Sequence, residues 1–254
     1  MKSFVQPAAI PVSVLAGRAR AGEASVRTCR GRTAYRGRVE TEAHREGDGH
    51  AVASLERLLE VYPTAPVPNS LAKESATITP GYARIIAAAP FVVVATVGDG
   101  GLDQSPRGDR PGFVVVRDER TLVVPDRRGN NRLDTLRNLV ADPRIGLLFL
   151  VPGLGEELRV RGTAVISTDP EELARHEVRG TRPASVLVVT VERVYFQCAR
   201  AVRRSRLWDP GSRVDPRTLP TAGDLTREAG GFSSDAEAAA YDAALDARQE
   251  ATLW

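Results

Sequence analysis

Two short segments carry the groups in this chain best suited to chemistry. One is Ser105-Pro106-Arg107-Gly108-Asp109, and the other, about twenty residues on, is Pro125-Asp126-Arg127-Arg128-Gly129-Asn130-Asn131-Arg132. Together they hold four arginines, two glycines and two side-chain amides. Arginine presents a planar fork of N–H donors that matches phosphate and carboxylate oxygens. Glycine lets the backbone come close to a ligand. The second segment runs into an apolar pattern that reads as a helix, so Asn130 or Asn131 can serve as its N-cap. The free N–H groups and the dipole at such an end favour a phosphate dianion. The competing reading is a solvated basic turn in front of an ordinary helix. Arg107, a second basic element on an earlier strand, favours the phosphate site.

Other reactive types are present without partners. Asp109 and Asp126 have no second carboxylate at a catalytic spacing, and turn formation or an arginine partner accounts for them. Cys198, in Phe196-Gln197-Cys198-Ala199-Arg200, reads as a small buried filler. The run Arg203-Arg204-Ser205-Arg206-Leu207-Trp208 is either a solvated helix end or the closure of a pocket, since tryptophan stacks on flat rings and arginine holds anions. Two cysteines and three scattered histidines make neither a disulfide framework nor a zinc set. The glycines at 98–101 and 153–155 are not followed by a helix as a dinucleotide fingerprint requires, and no P-loop or nucleophile elbow occurs. A bound phosphate-bearing cofactor fits these residues better than side-chain catalysis.

The elements that must position them are legible from periodicity. Residues 53–62 predict a helix with Ser54 as N-cap and Leu55, Leu58, Leu59 and Tyr62 on one face. A second helix, 80–88, starts on Pro80 and turns Tyr82, Ile85 and Ile86 inward. Phe91–Val97 is a β-branched run too apolar for an edge strand, and Gly98-Asp99-Gly100-Gly101 is its hairpin turn. Phe113–Val116 pairs with Thr121–Val124, and a helix over 131–141 follows. Then come a strand at Ile145–Val151, a long alternating strand at Glu157–Ser167, a short helix at 169–177 opened by Asp169-Pro170, and a last strand at Val186–Phe196. Strands dominate and helices interrupt them, which predicts a mainly β fold, a β-barrel with peripheral helices, rather than a doubly wound α/β sheet. An Ala-rich helix over 235–253 closes the chain.

Charge divides the chain unevenly. Residues 1–50 hold nine Lys/Arg against five Asp/Glu, whereas the other 204 residues carry a net charge of −1. The globular part has no broad electrostatic footprint for nucleic acid, and no apolar run is long enough to span a bilayer. Residues 1–50 lack periodicity and read as a disordered extension or as the product of a misplaced start, with Val52 as the alternative. With lysine only at positions 2 and 73, against many arginines and alanines, the composition points to a GC-rich, bacterial genome.

Several spaced motifs in order carry a family resemblance. Phe91-Val-Val-Val-Ala-Thr, Ser105-Pro-Arg-Gly-Asp, Pro125-Asp-Arg-Arg-Gly-Asn-Asn-Arg, Asp142-Pro-Arg-Ile-Gly-Leu-Leu-Phe and Ser205-Arg-Leu-Trp-Asp resemble the pyridoxamine 5′-phosphate oxidase-like, FMN-binding family. The closest match is to its bacterial branch with the Ser-Pro-Arg-Gly-Asp and Gly-Asn-Asn-Arg signatures. The resemblance implies an FMN-binding split barrel over 53–210, a helical tail over 211–254 and a cytoplasmic homodimer with FMN at the subunit interface. It implies that Ser105, Pro106, Arg107 and Gly108 run along the flavin, that Pro125 and Asp126 flank it, and that Asn130, Asn131 and Arg132 hold its phosphate. It further implies that Glu157 reaches the flavin from the other subunit. Arg206 and Trp208 match the place where true pyridoxamine 5′-phosphate oxidases set an Arg-x-His pair over the substrate. Trp208 replaces that histidine, so the resemblance implies an FMN-dependent oxidoreductase acting on a small, flat molecule more than it implies a B6 vitamer as substrate. A non-catalytic flavin carrier or sensor, and a split barrel using the deazaflavin F420, are the alternatives. Neither nucleic acid nor a membrane is an expected partner.

Overall fold

The computed structural model describes residues 50–129 and 131–253. The expectation for residues 1–50 lies almost wholly outside the described residues, and Asn130 lies outside them as well.

Strand formation follows the β-branched runs. The described strands are β1 (Phe91–Gly98), β2 (Gly101–Gly108), β3 (Val115–Asp118), β4 (Thr121–Asp126), β5 (Arg144–Leu150), β6 (Leu158–Ser167) and β7 (Ser185–Phe196). They form one sheet in the order β2-β1-β5-β6-β7-β4-β3, and every pairing is antiparallel. β1 is internal, as its apolar run requires, and β2 is an edge strand, a position that tolerates Pro106. Alternate residues turn into one core: Val92 and Val94 on β1, Leu147 and Phe149 on β5, Leu158 and Val160 on β6 are all buried. The sheet is rolled, because residues at the ends of β2 and β4 meet although four strands separate them. The result is the mainly β architecture with peripheral helices that the sequence predicts.

The β6–β7 ladder carries a bulge between Arg161 and Gly162. A Cβ on Gly162 would lie 2.0 Å from the Thr190 carbonyl oxygen. Glycine is therefore needed there for close backbone approach.

The helices are α1 (Leu55–Val61), α2 (Pro68–Ala72), α3 (Pro80–Ala88), α4 (Asp134–Ala141), α5 (Pro170–Arg175), α6 (Arg200–Ser205), α7 (Ala222–Glu228) and α8 (Asp235–Ala251). Ser54 caps α1 as predicted, accepting from Arg57 N at 3.1 Å. The apolar face of α1 differs from expectation: Leu55, Leu59 and Tyr62 are exposed, because no described element packs on it. In α3, Ile86 is fully buried in the core while Tyr82 and Ile85 are half-buried. α5 begins at Pro170 with Asp169 as its cap, accepting from Glu171 N at 3.0 Å. No described helix is long and apolar enough to cross a membrane.

Candidate functional site

The rolled sheet sets the end of β2 beside the end of β4. Along β2, Asp103, Ser105 and Arg107 turn to the more sheltered side, while Gln104, Pro106 and Gly108 are exposed. Register with β1 pins them: Ser105 lies opposite Val94 and Arg107 opposite Val92. On β4, Pro125 lies opposite Val186 and Asp126 opposite Ser185 of β7. Between them lies a cavity of about 900 Å³, lined by Ser105–Gly108, Pro125–Gly129, Asn131–Leu136 and a further stretch, Thr181–Ser185. Ser105, Pro106, Arg107, Gly108, Pro125, Asp126, Asn131 and Arg132 thus share one hollow.

Two ion pairs bridge the seam. Arg107 Nη2 lies 3.6 Å from Asp126 Oδ1, with side chains only 20% and 17% exposed. Arg107 Nη1 also donates to the Pro106 carbonyl at 3.0 Å and to Ser105 Oγ. Next to it, Arg127 Nε donates to Asp109 Oδ2 at 2.9 Å, with Asp109 3% exposed. Arg127 Nη1 donates to the His176 carbonyl at 2.6 Å. These arginines are held in place before any ligand arrives. Burial pushes the Asp126 carboxyl above its ordinary value, and the charge of Arg107 opposes that shift.

The approach to α4 differs from the expected cap. The helix starts at Asp134, and its N-cap is Leu133, in the left-handed region at φ 63° with no side-chain cap bond. Asn131 also sits at φ 63°. Two left-handed residues so close together turn the chain before the helix can begin, so Asn131 is not its cap, and the Asn130 alternative falls outside the described residues. Arg132 is 75% exposed and bonds Asp134 at 2.8 Å. The helix is anchored from behind. Asn138 Nδ2 donates to the buried Thr96 Oγ1 at 3.1 Å, and Thr135 Oγ1 to Asp103 Oδ2 at 3.2 Å. A Cβ on Gly98 would collide with Asn138 Oδ1 at 2.0 Å, so this docking depends on that glycine.

Three predicted residues fall elsewhere in the chain. Glu157 precedes β6 and lines a separate hollow of about 380 Å³ with Val93, Ala95 and Leu148, and Gln104 borders both hollows. Glu157 Oε2 is buried with no hydrogen-bond partner among the described residues. Arg206 Nε bonds Asp209 at 2.9 Å, and Trp208 Nε1 donates to the Leu154 carbonyl at 2.7 Å. Neither lines the larger cavity.

Sequence reasoning missed Thr181–Ser185. The segment follows a tight turn in which Val178 and Thr181 exchange two 2.9 Å hydrogen bonds. Its central residues, Arg179 and Gly180, both have positive φ, the geometry of a two-residue hairpin. Arg-Gly is a weaker sequence signal for that turn than Asn-Gly.

The model of the pyridoxamine 5′-phosphate oxidase family matches residues 78–198, just under half of the chain. That stretch, which holds every described strand, belongs to the pyridoxamine 5′-phosphate oxidase-like family. Similar solved structures include HupZ of Group A Streptococcus, 22% identical with TM-score 0.40, covering 48% of this chain and 94% of that one. A protein related to general stress protein 26 from Clostridium acetobutylicum is 15% identical with TM-score 0.36, covering 45% and 84%. An FAD-binding protein from Mesorhizobium loti is 15% identical with TM-score 0.34, covering 48% and 96%. No curated protein matches.

Proposed function

We propose that this chain is an FMN-binding oxidoreductase that works as a homodimer on a small, flat substrate. The observation that carries the reading is the convergence of Ser105–Gly108, Pro125–Asp126 and Asn131–Arg132 on one cavity of about 900 Å³. The donor set fits a flavin phosphate. Arg127, Arg128, Arg132 and Arg182 border the cavity with Asn131 and Thr181, giving forked cationic donors and neutral ones for an anion. Phe113, Pro125 and Leu136 offer apolar wall for a ring. As an edge strand, β2 has backbone N–H and C=O groups on its free side that no described strand pairs.

Bound there, FMN would supply electron transfer, and the protein would supply position and electrostatics. Asn131, Arg132 and Arg128 would take the phosphate. Arg107, braced by Asp126 and the Pro106 carbonyl, would face the ring with a fixed positive charge, which favours negative charge developing on a ligand there. Pro125, buried in the β4–β7 ladder, would hold its side of the ring rigidly.

The dimer is supported by the outer face of β1 and β5. Val93, Ala95 and Leu148 are only half-buried there, beside the orphaned Glu157 carboxylate oxygen. A buried oxygen without a donor is costly, and a second subunit on this face is the natural source of one.

The test is an absorption spectrum of purified protein with the released chromophore identified by mass. FMN near one per chain supports the proposal. A deazaflavin mass transfers the site to F420. Colourless protein that cannot be loaded with FMN overturns it. Turnover with a nicotinamide donor then separates an oxidoreductase from a carrier.

A further inference from the structure

We infer that Asp126 is the specificity-determining hydrogen-bond acceptor of the cavity, selecting a ligand whose ring carries an N–H donor; the inference rests on the flavin reading for its probe. Three aspartates line the cavity. Asp103 accepts from Thr135 at 3.2 Å and Asp134 from Arg132 at 2.8 Å. Asp126 alone has no direct hydrogen bond among the described residues, and its one ionic partner, Arg107, stands off at 3.6 Å. That separation leaves Coulomb attraction but exceeds a hydrogen bond.

The side chain is nevertheless sheltered, at 17% exposed. Its backbone is fixed by pairing with Ser185 and by the buried Pro125 before it. Rotation into solvent is therefore opposed at both the strand and the seam. The charged groups around it are Arg107 on β2, the Arg127–Asp109 pair beside it, and Arg182 on the segment entering β7. Arg127 is already committed to Asp109 and the His176 carbonyl, and Arg182 to Glu177 at 2.9 Å. Neither donates to Asp126.

A sheltered carboxylate short of donors costs folding free energy. Groups held against such a cost mark ligand sites, where the missing donor comes with the ligand. A second anionic group would be repelled at this point. A lactam or imide N–H would complete the carboxylate, and the pyrimidine portion of a flavin carries one such group, at N3. The cavity would then read both parts of one molecule: the arginines and Asn131 its anion, Asp126 its ring N–H.

The experiment compares binding of FMN and N3-methyl FMN to wild type, Asp126→Ala and Asp126→Asn, each first checked for folding by circular dichroism. Wild type should bind FMN at least about tenfold more tightly than the methylated analogue, the scale of a charged hydrogen bond. Asp126→Ala should discriminate less than about twofold, and Asp126→Asn, which keeps a carbonyl acceptor, should fall between. Wild type that binds both flavins equally overturns the inference alone, as does an alanine variant that discriminates like wild type. Wild type that binds neither overturns the flavin reading and the inference with it.

Discussion

Arg107 and Asp126 stand five steps apart along the sheet and 3.6 Å apart in space. The contact joins an edge strand to the last residue of β4 and closes the roll over the cavity. Beside it, Asp109 and Arg127 repeat the joint at 2.9 Å. The same side chains that line the site also hold its two sides together, so stability and binding are coupled there.

Asp109→Ala should lower stability by about 3 kcal/mol, because Arg127 would remain sheltered without its carboxylate. Asp109 is 3% exposed and Arg127 15%, so solvent screens the pair little. Urea denaturation of the ligand-free protein measures this. A loss below about 1 kcal/mol would show that the joint is not holding the seam.

Asp126 should behave in the opposite way. Burial raises its carboxyl above the ordinary 3.8, against the pull of Arg107. The folded chain therefore binds this proton more tightly than the unfolded chain. The group's favourable contribution is complete below 3.8 and is lost as pH rises through the raised value. Asp126→Asn removes that dependence, so the ligand-free variant should melt no lower than wild type at pH 7. Melting curves between pH 3 and 8 test the sign, and a clear loss of stability at pH 7 would contradict it.

Gly162→Ala should be strongly destabilising, on the order of 3 kcal/mol, the upper range of overpacking. The new methyl would have to enter the space of the Thr190 carbonyl, 2.0 Å from the ideal Cβ position. Backbone cannot swing aside as a flexible side chain can. A variant as stable as wild type in thermal unfolding would mean that the bulge relaxes freely.

The arginines should not contribute equally to flavin binding. Arg132 is 75% exposed and engaged with Asp134, so Arg132→Ala should cost about 1 kcal/mol, roughly fivefold in affinity. Arg107 is 20% exposed and braced on three sides. Its loss should cost about 2 kcal/mol or more, since it also leaves Asp126 without a countercharge. Fluorescence titration with FMN ranks the two, and equal effects would refute the argument from burial.

The strands were legible because β-branched runs leave little choice. Phe91–Gly98, Thr121–Asp126 and Ser185–Phe196 lie where alternation and apolar content predict them, and so does Asp169 as a cap. The helix start at Asp134 was less legible. Propensity places a cap at an asparagine, whereas the positive φ of Asn131 and Leu133 delays the helix. The exposed face of α1 has the same lesson in reverse: spacing determines that a helix is amphipathic but not what covers it.

The sequence by itself determined the chemical types at the site, arginines, amides and a carboxylate in two motifs, and the strand-rich order that carries them. Only the tertiary structure decided that these motifs share a cavity with Thr181–Ser185 and that Glu157, Arg206 and Trp208 do not line it within this chain. The reason is physical. Periodicity reports which face of a strand is buried, and that is a local property. The roll of a seven-stranded sheet is a global one, set by accumulated twist and by core packing between residues far apart in sequence. That roll is what brings Arg107 to Asp126.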